Sequence, residues 1–394
     1  MTSAGRVLSP ALTLEAIFGS DRTYNPREPY GGNPFAGEDE PVSNALTGGQ
    51  LGIAGGMRVM CHRSVAGDQV LDLVRRAGFA VEARLERYGD RAEYERLLAS
   101  RVPGTVVFQH AHPPEQADPS LCWVPLETLV GLNDKARLPD LAPAGAVPRR
   151  DIVPTRGPGA PSWASLSLPV VLKVPSHHSL GAGEGVRICR DRADLRAALD
   201  DLAMADRLVV EEFLDIRDSW CVQFAFMVDG AVRWLGGAAQ LVDGRGRYWG
   251  NWISASPPGA AADLGREIAS RAAAGYRGVA GFDIALTADG RFVVLDCNFR
   301  INGSTLGLLC RDAVEELHGA AEIQVRTLRD RRGWSSLRGI VEPLAREGRV
   351  LPFSGYDPAG EPAGGTARAS VLVTGRTREE VALTLERLAA CGLT

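Results

Sequence analysis

The chain has 394 residues, 45% of them hydrophobic and 23% charged, and a formal net charge of -4. That length suggests two or three domains, and a mildly acidic chain without a strongly basic segment argues against nucleic acid as a partner. No run of about 18 apolar residues suggests a membrane span, and Pro10 and Glu15 interrupt the only early apolar stretch, which makes a poor signal peptide.

Residues 1–55 read as an irregular lead, rich in Pro, Gly and Asn between Tyr24 and Gly49. A βα alternation follows: strands at 57–61, 80–85 and 105–109, helices at 68–77 and 91–100. This pattern predicts a small parallel sheet with flanking helices. The Gly-rich stretch 52–56 precedes the first strand and matches no dinucleotide fingerprint. A helix is expected over 125–138, with Pro125 in its first turn. The Pro/Gly/Arg-rich stretch 139–161 reads as a linker. Strands are expected at 170–174, 186–189 and 208–212, with a helix over 192–204. Two hairpins turn at Asp229-Gly230 and Asp289-Gly290, each between apolar runs. A helix is expected at 261–274, the chain after the second hairpin is expected to be helical to about 347, and a strand at 369–373 and a helix over 378–391 close it. The seven cysteines are scattered without a C-x-x-C pair, a pattern of reduced thiols in the cytoplasm.

Only two of the 44 Lys and Arg residues are lysines, Lys135 and Lys173. In a chain that favours Arg so strongly, these are candidates for sites where a planar fork cannot replace a compact ammonium. Such an ammonium suits one phosphate oxygen in a narrow cleft. Chance survival on the surface is the alternative.

The last hairpin carries Asp283 on one strand and Asp296, Asn298 and Arg300 on the other. The latter three alternate and so share one face. Two carboxylates and an amide oxygen are hard ligands of the kind Mg²⁺ takes, and Arg300 could clamp a phosphoryl group or carboxylate. A pair of exposed hairpin carboxylates with Arg300 as their ion-pair partner fits equally. Gly181, Gly183 and Gly185 follow Lys173 and could bring backbone N–H groups to phosphates. No Gly-Lys-Ser/Thr follows, so this is no Walker loop, and an ordinary hairpin tip is the alternative. Glu211, Glu212, Phe213 and Leu214 end a buried strand and could face an adenine, with Asp218 in reach of a ribose. A solvated strand end would read the same.

In order and spacing, Asn133-Asp134-Lys135, Lys173, the Gly loop, Glu211 to Leu214, Asp283 and Asp296-x-Asn298-x-Arg300 resemble the ATP-grasp superfamily over about residues 130–310. Asp296 stands where that family's end motif has Glu, and Asp283 where Glu is commoner. The resemblance implies an α/β (α+β) fold: an N-terminal Rossmann-like pre-ATP-grasp domain (1–145), a small Gly-loop lid subdomain (146–212) and a larger C-terminal mixed-sheet domain (213–394). It implies that Lys135 and Lys173 touch the ATP phosphates and that Ser179, Gly181, Gly183 and Gly185 belong to a flap over them. Glu211, Glu212, Phe213 and Leu214 would line the adenine pocket, and Asp218 would reach the ribose. Asp283, Asp296 and Asn298 would hold two Mg²⁺, and Lys173 and Arg300 would be catalytic.

Within the superfamily the chain looks most like L-amino-acid or dipeptide ligases of bacterial secondary metabolism. That resemblance implies an acyl phosphate, formed from ATP and captured by an amine to give an amide. It places Arg245, Arg247, Tyr248 and Trp249, with Asn302, Gly303 and Ser304, around amino-acid substrates. His177 and His178 could approach the phosphates or the amine. The expected setting is the cytoplasm, with a homodimer at family level. The alternatives are a primary-metabolic ligase acting on another carboxylate, with no biotin-carrier lysine in sight, and a module that binds ATP without catalysis.

Overall fold

The computed structural model describes residues 7–31, 39–175, 185–243, 246, 248–359 and 365–394. Short helices α1 (Leu14–Phe18), α2 (Glu40–Leu46), α3 (Asp68–Arg76) and α4 (Arg91–Ala99) accompany strands β1 (Thr23–Asn25), β2 (Arg58–His62), β3 (Arg84–Tyr88) and β4 (Val106–Phe108). The strands form a sheet in the order β3-β2-β1-β4, parallel at every pairing. Helix α3 buries Val70, Leu71, Leu73 and Val74. Helix α4 starts on a reciprocal cap, with Asp90 accepting from the Glu93 N–H and Glu93 accepting from the Gly89 N–H. The lead is more ordered than its composition predicts. It supplies α1, α2 and the central strand β1, whose three residues are all buried and so show no alternation. The strand expected at 80–85 lies four residues later.

The helix predicted through 138 breaks at Asp134. Helix α5 (Leu126–Asn133) ends there, Asp134 turns extended at φ -73, ψ 114, and its carboxylate accepts from the Ala136 N–H to start a 3-10 turn at Lys135–Arg137. Asn133 donates back to the Leu129 carbonyl and accepts from the Phe299 N–H. Local side-chain bonds of this kind compete with helix continuation. After α6 (Leu138–Leu141), the expected linker contains a strand, β5 (Arg150–Pro154). It joins β6 (Val170–Lys173), β7 (Val186–Cys189) and β8 (Arg207–Glu212) in an antiparallel sheet of order β5-β8-β6-β7. Helix α7 (Arg192–Asp201), capped by Asp191, packs Leu195 and Ala198 on Val170, Leu172 and Leu208.

The third sheet has eight strands: β9 (Ile216–Phe226), β10 (Val232–Val242), β11 (Tyr248–Trp252), β12 (Gly278–Thr287), β13 (Phe292–Asn298), β14 (Glu322–Asp330), β15 (Val350–Tyr356) and β16 (Ala367–Gly375). Its order is β13-β12-β9-β10-β11-β14-β16-β15. The mixed sheet expected here is antiparallel at every pairing. Chain reversals at hairpins set that direction: Gly230 and Gly290 take φ of +89° and +86° in the two Asp-Gly turns, a region that favours glycine. Helices α8 (Gly259–Ala272), α9 (Thr305–His318), α10 (Trp334–Arg346) and α11 (Arg378–Ala390) cover it. The long helical region expected after the last hairpin is interrupted by β14. The stop is Gly319, left-handed at φ +61°. Strand β15 is buried at every position, which hides a strand period.

Phe224, Phe282, Phe299 and Tyr276 form an aromatic core behind β12 and β13, with the Phe282 and Phe299 rings edge-on at 5.8 Å. Burying each ring contributes about 1.5–3 kcal/mol. Phe299 also fixes the backbone immediately before Arg300. Among the described residues, no helix is long and apolar enough to cross a membrane.

Candidate active site

The hairpin of β12 and β13 pairs Asp283 with Asp296 and Gly281 with Asn298, so the two carboxylates stand opposite each other. Asp283 accepts from Gln240 Nε2 at 3.0 Å and Asn298 Nδ2 at 3.3 Å. Burial, reinforced by the Asp296 charge, pushes its carboxyl up to about 7. Burial pushes Asp296 the same way, but Lys135 and Lys173 outweigh it and hold its carboxyl below the ordinary value. Lys135 forms an ion pair with Asp296. Arg300 Nη2 donates to Asn298 Oδ1 at 2.9 Å. All members of the Asp-x-Asn-x-Arg pattern therefore meet at one place.

Lys173 ends β6 and crosses to the third sheet. Its ammonium donates to the Leu295 carbonyl at 2.8 Å and lies 2.7 Å from Glu211 Oε2. Glu211, only 2% exposed, also pairs with Arg150. Arg150 donates in turn to the Lys135 carbonyl at 2.7 Å. One buried carboxylate thus links both smaller-sheet cations to the backbone that presents Lys135 and Asp296.

The expected adenine residues lie beside this frame. Glu212 is held by Arg149 at 2.8 Å; burial raises its carboxyl, but bonds from Arg149 bring it below the usual value. Phe213 has the Arg190 guanidinium 6.0 Å from its ring, and Leu214 is half-buried. Asp218 is exposed beside Arg217 and pairs in register with Leu286, three residues along β12 from Asp283. It makes no contact with the frame among the described residues. Gly185 is left-handed at φ +69°. Ser179, Gly181, Gly183, Arg245, Arg247, His177 and His178 lie outside the described residues.

Of the residues expected around the substrates, Tyr248 donates to Asn251, and burial raises its phenol. A Cβ on Gly303 would meet the Tyr248 hydroxyl at 2.8 Å, so the loop passes tightly over that ring. Trp249 is exposed, with the Arg326 guanidinium 4.2 Å from its ring centroid. Asn302 donates to the Arg300 carbonyl at 2.8 Å. Ser304 is buried and accepts from Gln223 Nε2 at 2.7 Å, while Thr305 donates to Gln223 Oε1 at 2.6 Å. Fully buried Gln223 thereby ties the 300–305 loop to β9.

Three participants escape the sequence reading. Arg150 sits in the expected linker, where Arg, Pro and Gly are common. Gln223 is the one polar side chain between Cys221 and Met227, and that break in an apolar run was the available signal. Gln240 lacks a local signal, because its role depends on β10 lying two strands from β12.

Residues 148–298 match the family model described as "L-aspartate--L-methionine ligase, ATP grasp", and residues 13–130 match "L-aspartate--L-methionine ligase N-terminal domain". The chain belongs to the ATP-grasp carboxylate–amine ligases. It is an ATP-dependent amino-acid ligase of this family. Solved structures share the ligase's fold across nearly its whole length. An N5-carboxyaminoimidazole ribonucleotide synthetase in its ADP complex superposes with TM-score 0.57 at 13% identity, covering 98% of both chains. The Staphylococcus aureus N5-carboxyaminoimidazole synthetase with ADP gives 0.56 at 10%, covering 97% of this chain and 99% of that one. An L-amino acid ligase from Bacillus licheniformis gives 0.51 at 15%, covering 95% and 98%.

Two carboxylates and one amide oxygen make an incomplete octahedron. Among the described residues, no three His, Cys, Asp or Glu side chains gather into a cage of their own. That donor set fits Mg²⁺, a hard ion that keeps water and phosphate oxygens in its remaining positions.

Proposed function

We propose that the ligase joins aspartate and methionine, activating one carboxylate with ATP and condensing it with the other's amine. The observation that carries this reading is that two models of one ligase family match the chain on both sides of the 131–147 segment. A carboxylate oxygen attacks the γ-phosphorus, the bond to ADP breaks, and an acyl phosphate forms. The amine then attacks the acyl carbon, and inorganic phosphate leaves as the amide forms and the amine sheds a proton.

Lys135 and Lys173 would take the phosphate oxygens of ATP. Their ammoniums already converge from two elements, held by Asp296 and Glu211. Arg300 would face the phosphoryl group in flight, oriented by Asn298. A cation at contact distance is worth roughly 4 kcal/mol near a protein surface, or orders of magnitude in rate. Because Glu211 is committed to Arg150 and Lys173, the adenine edge would be read by backbone groups of 212–214, with Phe213 and Leu214 against its faces. Asp283, Asp296 and Asn298 would hold up to two Mg²⁺, which would supply charge neutralisation at the phosphates. Tyr248, Asn302 and Gly303 would border the amino acids. Seven free thiols suit a cytoplasmic setting, and a homodimer is the assembly the family resemblance implies.

The test is phosphate release from ATP and Mg²⁺ across single and paired amino acids, with mass spectrometry of each positive mixture. Release that requires aspartate with methionine, and a product lighter than their sum by one water, is expected. Release with a different pair alone, or ATP hydrolysis without condensation, would overturn the assignment.

A further inference from the structure

Strands β14 and β16 place Arg329 directly opposite Arg368. Like charges across a rung destabilise a sheet, and Arg331 adds a third guanidinium to the same cavity. The cavity measures about 280 Å³ and is also lined by Thr366, Thr394 and Asp39. Among the described residues the one carboxylate within ion-pair range, Asp39, stands 4.0 Å from Arg368 and already accepts from the Val42 N–H. Among the described residues, Arg329 and Arg331 have no ion-pair partner. The Arg368 side chain is only 17% exposed, and its Nε is buried without a hydrogen-bond partner. Burial and the neighbouring Arg329 both depress its basicity. A buried guanidinium N–H left unmatched costs stability unless something accepts from it.

We infer that this cavity is a second ligand site, built for a small oxyanion of the phosphate class. Among the described side chains that line it, three cations face one carboxylate, an excess of positive charge. Planar guanidiniums suit tetrahedral oxyanions, and two threonine hydroxyls can complete the shell. The volume approaches the lower range of small-molecule sites and far exceeds one water. The site is separate from the ATP machinery. Four strand steps of about 4.8 Å part β14 from β12, a separation of roughly 19 Å across the sheet. An anion there would relieve the Arg329–Arg368 repulsion and clamp β14, β16 and the start of α2 together. The chemistry fits both free inorganic phosphate, which the ligase itself releases, and the phosphoryl group of a metabolite.

The experiment is calorimetric titration of the full chain, its nucleotide site filled with a non-hydrolysable ATP analogue and Mg²⁺, at constant ionic strength. Inorganic phosphate and glucose 6-phosphate are the probes. One further anion per chain is expected, weakened at least about tenfold in Arg368→Gln and in Arg331→Gln, with analogue affinity unchanged as proof of folding. Tighter binding of phosphate than of the sugar phosphate would make the source free phosphate, and the reverse a phosphorylated metabolite. If Arg368→Gln fails to fold, exposed Arg331 decides. No binding beyond the nucleotide site, or binding unchanged in the folded variants, would overturn the inference.

Discussion

Asp283 and Asp296 face each other across one rung of the β12–β13 hairpin, yet they hold their protons in opposite ways. Burial and the neighbouring charge raise Asp283 to about 7, whereas Lys135 and Lys173 bring Asp296 below the ordinary range. At neutral pH Asp283 is therefore about half-protonated beside an ionised Asp296, and a divalent cation held by the pair would displace that proton. Titrating Mg²⁺ into the nucleotide-free ligase, in buffers of different ionisation heat, should release about 0.9 proton at pH 6 and almost none at pH 8.5. Proton release that does not vary with pH would refute Asp283 as a ligand.

The same group sets a stability trend in the metal-free ligase. Its folded pKa lies above the unfolded value of about 3.9, so the folded state binds more protons between the two. Its contribution is fully present below pH 4 and is lost as pH rises through about 7. In urea melts, wild type should lose stability relative to Asp283→Asn over that window. Parallel pH profiles would count against the raised carboxyl.

Lys173 separates charge from geometry. Lys173→Met should leave Glu211 with Arg150 alone and cost about 3–5 kcal/mol of stability, as expected when one partner of a buried pair is removed. Lys173→Arg keeps the charge, but a longer planar fork must fit between Glu211 and the Leu295 carbonyl. It should fold with turnover reduced at least about a hundredfold. Near-normal turnover would show that charge alone suffices there.

Arg150 tests the cross-sheet frame. Arg150→Ala should raise the KM for ATP by roughly tenfold or more through loss of a charge-assisted bond to Glu211. The KM for the amino acids should change far less. A uniform rise in all three would instead indicate general loosening.

Gly281 lies under Asn302, with no room for a methyl group: an added Cβ would stand 2.5 Å from Asn302 Nδ2 and 2.8 Å from Cys221 Sγ. Gly281→Ala should push the 300–305 loop outward and lower kcat by about tenfold or more, with ATP affinity within a few-fold of wild type. Full activity would mean that the loop gives way freely.

The candidate face was readable as one face because its residues repeat at strand spacing. Asp296, Asn298 and Arg300 announce a shared face, and Lys173 stands out in a chain that otherwise uses Arg. The first sheet was readable from βα alternation, apart from β1, whose three buried residues carry no period. What stayed hidden depends on pairing across long sequence distances. Arg150 matters because β5 lies beside β8, and Gln240 because β10 lies two strands from β12. Asp134 looked like helix interior and acts as a cap. Strand β15, buried at every position, has neither a helix nor a strand rhythm.

Gln109, just beyond β4, donates to the Ile301 carbonyl at 2.6 Å and accepts from the Ile301 N–H at 3.1 Å, next to Arg300. A single side chain therefore treats the loop that carries Arg300 as the next strand of a sheet and fastens it to the N-terminal part of the molecule. If Arg300 acts on the phosphoryl group, the enzyme should not divide into an ATP-cleaving half and an accessory half. A fragment beginning near residue 130 would keep the cations and carboxylates but release the segment that aims Arg300, and such a split would yield catalysis only when the pieces reassociate.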